Sequence, residues 1–254
     1  MDLEQLNRED RAFAAHVEDL FERAQQKYVA CFTNFLDLHQ INLAQWIANR
    51  TGYANYTFYA GHADGERLML GVFAPYDLME EAQFPIVPLT VTFRKEDIVG
   101  HRDLLGSLLG LQLKRESIGD LLVSTGLAVC FVTQVSAPVV LSELKKVGRV
   151  GVKVSEGLPN ELPALHRYQD LSVNVSSLRL DCLVAAICGL SREKASASIR
   201  SGFVAVNGAA LMDVSVNLQE KDVLSIRGFG KFRFEQVLST TKKGRFHLLC
   251  KKYI

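Results

Sequence analysis

Between Ser177 and Phe234 the hydrophobic period of the chain changes from that of a helix to that of a strand, which leaves few folds open. Leu180, Leu183, Val184 and Ile187 stand at i, i+3, i+4 and i+7, one face of a helix. Ser191 is a good N-cap for a second helix, from Arg192 to a stop at Gly202. Phe203-Val204-Ala205-Val206 alternates as a strand into Asn207-Gly208, a strong hairpin signal. Asp222 to Arg227 supplies another strand. In the second helix Ala195 and Ile199 mark the inward side, whereas Arg192, Ser196 and Arg200 recur every fourth residue elsewhere. The pattern predicts a small motif that buries one side and presents arginines on another.

Charge is distributed to match. The chain carries a formal charge of +1, which by itself points to no polyanionic partner. Leu171 to Ile254, however, holds 13 Lys/Arg against 6 Asp/Glu, or +7, leaving −6 for residues 1–170. A basic module carried by an acidic-to-neutral body is suited to meeting a polyanion. Anionic membranes also attract basic surfaces, but no long amphipathic helix or lipid anchor accompanies this one, so RNA is the better reading.

At 254 residues, two or three domains are expected. Composition is ordinary for a soluble globular protein, with 48% hydrophobic and 22% charged residues. No stretch approaches the roughly 18 apolar residues of a bilayer span. MDLEQLNRED lacks the basic and apolar regions of a secretory signal, so a cytoplasmic location is expected. Five cysteines with no CxxC pair predict thiols rather than a disulfide framework or a metal site.

The expected fold class is α+β, in several domains. Residues 1–84 predict a small α/β domain. In it Asn7 caps a helix with the stripe Phe13, Val17, Leu20, Phe21 and Ala24, and Asp37 caps a second. Strands follow at Tyr56–Tyr59 and Arg67–Phe73, with their aromatic residues in the core. Residues 85–165 read as strand (Leu89–Phe93), helix (Gly100–Leu111, with Leu104, Leu105, Leu108 and Leu109 inward) and strands at Asp120–Val123 and Ala128–Thr133. A helix (Leu141–Val147) and a strand (Val150–Val154) complete them. That βαββαβ order is ferredoxin-like and shared with RRM-like domains. Its third strand lacks the Lys/Arg-Gly-aromatic pattern with which RRM sheets stack bases, so packing or docking is the expected role. Residues 235–254 predict a terminal basic β-hairpin, tipped by Lys242-Lys243-Gly244-Arg245. The tip is either a solvated turn or a phosphate contact.

The run RLDCLVAAICGLSREKASASIRSGFVAVNG from Arg179, with the strand ending IRGFGKF at Phe232, closely resembles the S4-type RNA-binding domain, placed at 176–234. HRDLLGSLLGLQLKRESIGDLLV (His101–Val123), FYAGHADGERLMLGVFAPY (Phe58–Tyr76) and FLDLHQ (Phe35–Gln40) resemble the YlmH family of S4-domain RNA-binding proteins. The resemblance therefore spans nearly the whole chain. It implies a bacterial cytosolic factor that binds rRNA and tRNA on the ribosome. The expected target is the large subunit with an obstructing peptidyl-tRNA, in rescue and nascent-chain quality control.

By that resemblance Arg179 and Arg192 are the main RNA contacts. The helix starts near Leu180 and Arg192 are expected to offer backbone N–H groups to phosphate. Lys194, Arg200, Arg227 and Lys231 form a second tier of cations. Asp181 is expected to hold Arg179 or a neighbouring backbone group in place, Ser191 to cap, and Asn207 and Gly208 to supply the turn. His101-Arg102-Asp103 spells the kinase catalytic-loop triplet but lacks a Gly-rich loop or Asp-Phe-Gly, so helix capping is the better role. No Walker A, Gly-x-Ser-x-Gly or His-Glu-x-x-His occurs, and the histidines are scattered. No catalytic residue, cofactor, metal, small-molecule substrate or membrane partner is expected. The alternatives are an RNA-modifying enzyme targeted by the S4-type domain and a protein scaffold for cell division.

Overall fold

The computed structural model describes residues 6–164, 168–240 and 244–253. The chain divides into two compact units, residues 1–165 and 166–254.

In the first unit α1 (Arg8–Lys27) begins at Asn7, whose side chain accepts from the Asp10 N–H, and buries Ala14, Val17, Leu20, Phe21 and Ala24. After β1 (Cys31–Phe32), α2 (Leu38–Thr51) starts in a capping box formed by Asp37 and Gln40. β2 (Tyr56–Tyr59) and β3 (Met69–Val72) complete an antiparallel sheet in the order β1-β3-β2. Arg67 and Leu68, expected at the start of β3, precede it, with Leu68 in an isolated bridge to Leu36.

The chain continues through β4 (Ile86–Thr92), α3 (His101–Gly110), β5 (Ile118–Ser124), β6 (Leu127–Thr133) and α4 (Ala137–Glu143). A small hairpin of β7 (Lys146–Val147) and β8 (Val150–Gly151) leads to β9 (Lys153–Glu156). Two sequence expectations are corrected here. The helix predicted over Leu141–Val147 lies earlier, because Pro138 in its first turn sets its start and it ends at Leu144. Gly148, at φ 58°, then turns the chain into β7–β8, so the strand predicted over Val150–Val154 is split. In α3, Leu104 and Leu108 are buried, but Leu109 is 39% exposed, since a helix on one sheet buries a single stripe. Asp103 accepts from the Gly100 N–H at 2.9 Å, so the His-Arg-Asp triplet opens a helix.

The four main strands form one antiparallel sheet in the order β5-β6-β4-β9. Along β6 the side chains alternate between two cores. Ala128, Cys130 and Val132 pack with Leu104 and Leu108 of α3 and Val140 of α4. Val129 and Phe131 pack instead with Phe35, Met69, Phe73 and Phe84 from the first 84 residues. Both faces of the sheet are therefore buried at β5 and β6, whereas β9 at the other edge is largely exposed. The close approach requires glycine at 119, where a Cβ would stand 2.6 Å from the Phe35 ring.

Polar groups seal the same layer. A register shift between Ile118 and Leu121 accompanies Asp120, whose carboxylate accepts from the Glu66 N–H at 2.8 Å and the Arg67 N–H at 3.2 Å. His62 Nε2 lies 3.2 Å from Asp120 Oδ2 while its ring stacks on Phe131. The Arg67 guanidinium donates to the Ile118 and Phe35 carbonyls, each at 3.0 Å. Burial lowers its pKa to about 10, which leaves it charged at neutral pH.

In the second unit β10 (Tyr168–Val175) precedes α5 (Leu180–Cys188) and α6 (Arg192–Arg200). β11 (Val204–Val206), β12 (Ala209–Ala210), β13 (Val223–Ile226), β14 (Gly230–Thr240) and β15 (Phe246–Tyr253) follow. They form one six-stranded sheet in the order β10-β15-β14-β13-β11-β12. Its core joins Leu180, Leu183, Val184, Ala195 and Ile199 of the helices to Val204, Leu224, Phe232, Phe234, Leu248 and Cys250. β14 runs unbroken across the boundary drawn at 234/235. The terminal hairpin is thus part of the main sheet, because Phe234 and Cys250 are needed in the same core.

The five cysteines are unpaired thiols. Burial pushes Cys130 up to about 12 and Cys188 and Cys250 to about 11, which favours the protonated thiol in all three at neutral pH.

Candidate nucleic-acid interface

The arginine pair is assembled by one carboxylate. Arg179 is the N-cap of α5 and Arg192 the first residue of α6, and the shared core holds the two helix starts close together. Asp181, in the first turn of α5, points between them. Its Oδ2 accepts from Arg192 Nη2 at 2.7 Å, and its Oδ1 accepts from Arg179 Nε at 3.2 Å and from the Cys182 N–H at 2.9 Å. The Asp181 side chain is 5% exposed, whereas those of Arg179 and Arg192 are 39% and 58% exposed. Burial works against ionising Asp181, but hydrogen bonds from Arg192 and then Arg179 outweigh it and hold the carboxyl below its ordinary value. The same hydrogen bond raises Arg192. Two guanidiniums thus share one buried anion and keep an excess positive charge at the surface.

The two helix starts differ, and one expectation is corrected. The Leu180 N–H donates to the Val216 carbonyl at 2.8 Å and the Asp181 N–H to the Val214 carbonyl at 3.2 Å, so segment 214–218 closes the start of α5. At α6, Ser191 Oγ accepts from the Lys194 N–H at 3.3 Å, while the Arg192 and Glu193 N–H groups find no partner among the described residues. Only the second helix presents the open donors that the first was also expected to present.

The remaining predicted cations are dispersed. Lys194 and Arg200 are exposed at the two ends of α6. Arg227, in the turn after β13, lays its guanidinium 5.0 Å from the centroid of the half-exposed Phe203 ring. Lys231 lies on the sheet face opposite the helices, 4.6 Å from the Tyr253 ring centroid. Arg245 is exposed ahead of β15, and Lys242 and Lys243 fall outside the described residues. Asn207 and Gly208 have φ of 50° and 84°, and the Asn207 side chain ties the hairpin to the Asp222 carboxylate and the Val223 N–H.

Sequence reasoning passed over two cationic groups. Lys221, Arg233 and Lys251 converge on Glu235, a gathering whose sign in the sequence is the alternation Lys-Phe-Arg-Phe-Glu at 231–235. In the first unit Lys145, Lys146, Arg149 and Lys153 stand exposed along and beside β7–β8. No cluster of three or more His, Cys, Asp or Glu suited to a metal occurs among the described residues.

Comparison with known proteins places this geometry. The family model described as "Putative RNA-binding domain in YlmH" matches residues 80–161. The Bacillus subtilis (strain 168) ribosome-associated protein quality control protein P2 is 30% identical over 249 residues, covering 95% of this chain and 94% of that protein. The chain belongs to the YlmH family. A solved member, the cell division protein ylmH from Streptococcus pneumoniae, shares the fold at a TM-score of 0.53 and 22% identity, over 61% of this chain and 94% of that one. The family's RNA-binding label thus falls on the region around β4 to β9, which the sequence alone had read as packing or docking. An RRM reads bases on the open face of such a sheet, and here that face is covered at β5 and β6 by Phe35, Met69, Phe73 and Phe84.

Proposed function

We propose that this YlmH-family chain binds structured RNA on the ribosome and makes or breaks no bond. Its primary grip is the phosphate backbone at Arg179 and Arg192. The Asp181 clamp carries this reading. Two exposed guanidiniums held by a buried carboxylate are already oriented, so little side-chain entropy is lost when they fork onto phosphates. The open Arg192 and Glu193 N–H groups add donors beside them.

The family model's RNA-binding description and the name of the Bacillus relative support a ribosomal setting. The resemblance extends the reading to the large subunit with an obstructing peptidyl-tRNA, hence to rRNA and tRNA contact in rescue and nascent-chain quality control, in the cytoplasm. It also favours an S4-type module at 176–234 and a ferredoxin-like one at 85–165; the sheet order β5-β6-β4-β9 supports the second.

Co-sedimentation with large ribosomal subunits tests the grip. Arg179→Ala with Arg192→Ala should leave the fold intact and reduce binding by about tenfold or more, each charge-assisted contact being worth roughly 1–3 kcal/mol. Parent-like sedimentation of the double variant would refute the reading.

A further inference from the structure

We infer a second RNA-contacting surface, on the face of the six-stranded sheet opposite α5 and α6. It would take a single-stranded segment, with phosphates at Lys221, Arg233 and Lys251 and a base against the Tyr168–Tyr253 pair. This inference rests on the reading that the protein binds RNA, and it concerns residues outside the Arg179–Arg192 clamp.

Strand alternation defines the face. Phe232 and Phe234 of β14 and Leu248 and Cys250 of β15 enter the core with the helices, so Lys231, Arg233, Lys251 and Tyr253 project the other way. On β10, Leu171, Val173 and Val175 pack against that core, which puts Tyr168 with the outward set. Register then aligns the groups: Tyr168 lies opposite Tyr253, and Lys251 lies between Asp170 and Arg233.

Three cations meet at one carboxylate. Glu235 Oε2 accepts from Arg233 Nε at 2.7 Å and lies 3.8 Å from Lys251 Nζ, while Lys221 Nζ pairs with Oε1. The hydrogen bond from Lys221 is the largest of the effects that hold the Glu235 carboxyl below its ordinary value. A register shift between Phe234 and Gln236 sits at Glu235 and re-aims it. With Asp170 included, four lysines and arginines on this face oppose two carboxylates, so an excess of positive charge remains.

The cations also bracket aromatic rings. Arg233 and Lys251 lie 5.1 and 5.6 Å from the Tyr168 centroid, Lys231 lies 4.6 Å from that of Tyr253, and the two tyrosine rings meet edge-on at 5.0 Å. Rings interleaved with cations on a sheet are how single strands are held without base-specific readout.

Lys221 is built into the site at a conformational cost. Its φ of 76° is left-handed, unusual for a lysine, and the turn is held by its N–H donating to the Phe234 carbonyl. Glycine would relieve that backbone, so a lysine there needs another reason to be present, and a cation at Glu235 is one.

The test is fluorescence anisotropy with labelled oligouridine of about ten nucleotides, at low salt. Lys221→Gly with Lys251→Gln, and separately Tyr253→Ala, should each weaken binding about tenfold, one stacked base being worth that order. Thermal melting of the Lys221→Gly protein should show no loss of fold, because glycine adopts that φ freely. Parent-like affinity in both sheet variants overturns the second surface, as does failure of the parent to bind oligouridine. Equally tight binding of polyglutamate that Tyr253→Ala does not weaken would assign the face to acidic protein and overturn it too. None of these outcomes bears on the clamp, which is judged on large subunits.

Discussion

A carboxylate set between two guanidiniums positions them better than either could position itself. Asp181→Asn should therefore leave Arg179 and Arg192 in the chain but loosen their geometry. We expect weaker RNA binding together with a stability loss of about 1–2 kcal/mol, modest because both arginines are partly exposed. Chemical denaturation followed in parallel with RNA titration would check both. The sign of the pH effect follows from the same contacts. The folded-state pKa values of Asp181 and Glu235 are depressed, so their stabilisation is fully present above the unfolded values near about 4 and is lost as pH falls through the folded ones. Melting temperature should be flat from neutral pH down to about 5 and fall below about 4, less steeply in Asp181→Asn. The link from Asp181 to Arg179 was legible in the sequence because the residues are two apart. The stronger link to Arg192 was not, since it depends on how α5 and α6 meet. Glu235 was missed for the same reason, since beyond Arg233 on its own strand its partners Lys221 and Lys251 arrive from a separate turn and strand.

Among elements, local signals gave reliable starts and poorer stops. Asn7, Asp37 and Ser191 each accept from the backbone as their sequence positions predict, because an N-cap is a contact between residues three apart. Asp37→Ala should cost about 1 kcal/mol in thermal or chemical unfolding, the usual worth of such a cap. Both ends of α4 were misplaced, because Leu141, Leu144 and Val147 keep a helical spacing beyond the true stop, and Pro138 and the Gly148 turn decide instead. The length of β14 was likewise hidden. Its outer half is held by pairing with β15, and a partner strand leaves no mark in the strand's own sequence. Gly119 is the element-scale position with the least tolerance. Gly119→Ala would drive a methyl into the Phe35 ring and should destabilise by about 1–3 kcal/mol, visible as a lower melting temperature.

For the whole molecule, the uneven charge matters more than its total. A chain of +1 with +7 in residues 171–254 should bind RNA through the basic unit while remaining nearly neutral to bulk attraction. Log affinity plotted against log salt should be linear, with a slope of roughly −0.7 to −0.9 per phosphate contact, and shallower by about two contacts after Arg179→Ala with Arg192→Ala. A flat plot would point to an apolar protein interface. The order of the longer helices and strands and the basic stretch could be read from the chain alone. What could not be read was that the first 84 residues roof the sheet that follows them, since an apolar strand facing helices on one side and a neighbour on the other looks like any buried strand. The consequence is topographic. The β5 and β6 strands of that sheet form the inner layer of a sandwich, so ribonucleotide has no open face to stack on there and would meet this unit at exposed cations such as those of β7–β8. Hydroxyl-radical mapping of a complex should accordingly shade Lys145 to Lys153 and leave Leu127 to Thr133 with the reactivity of the free protein.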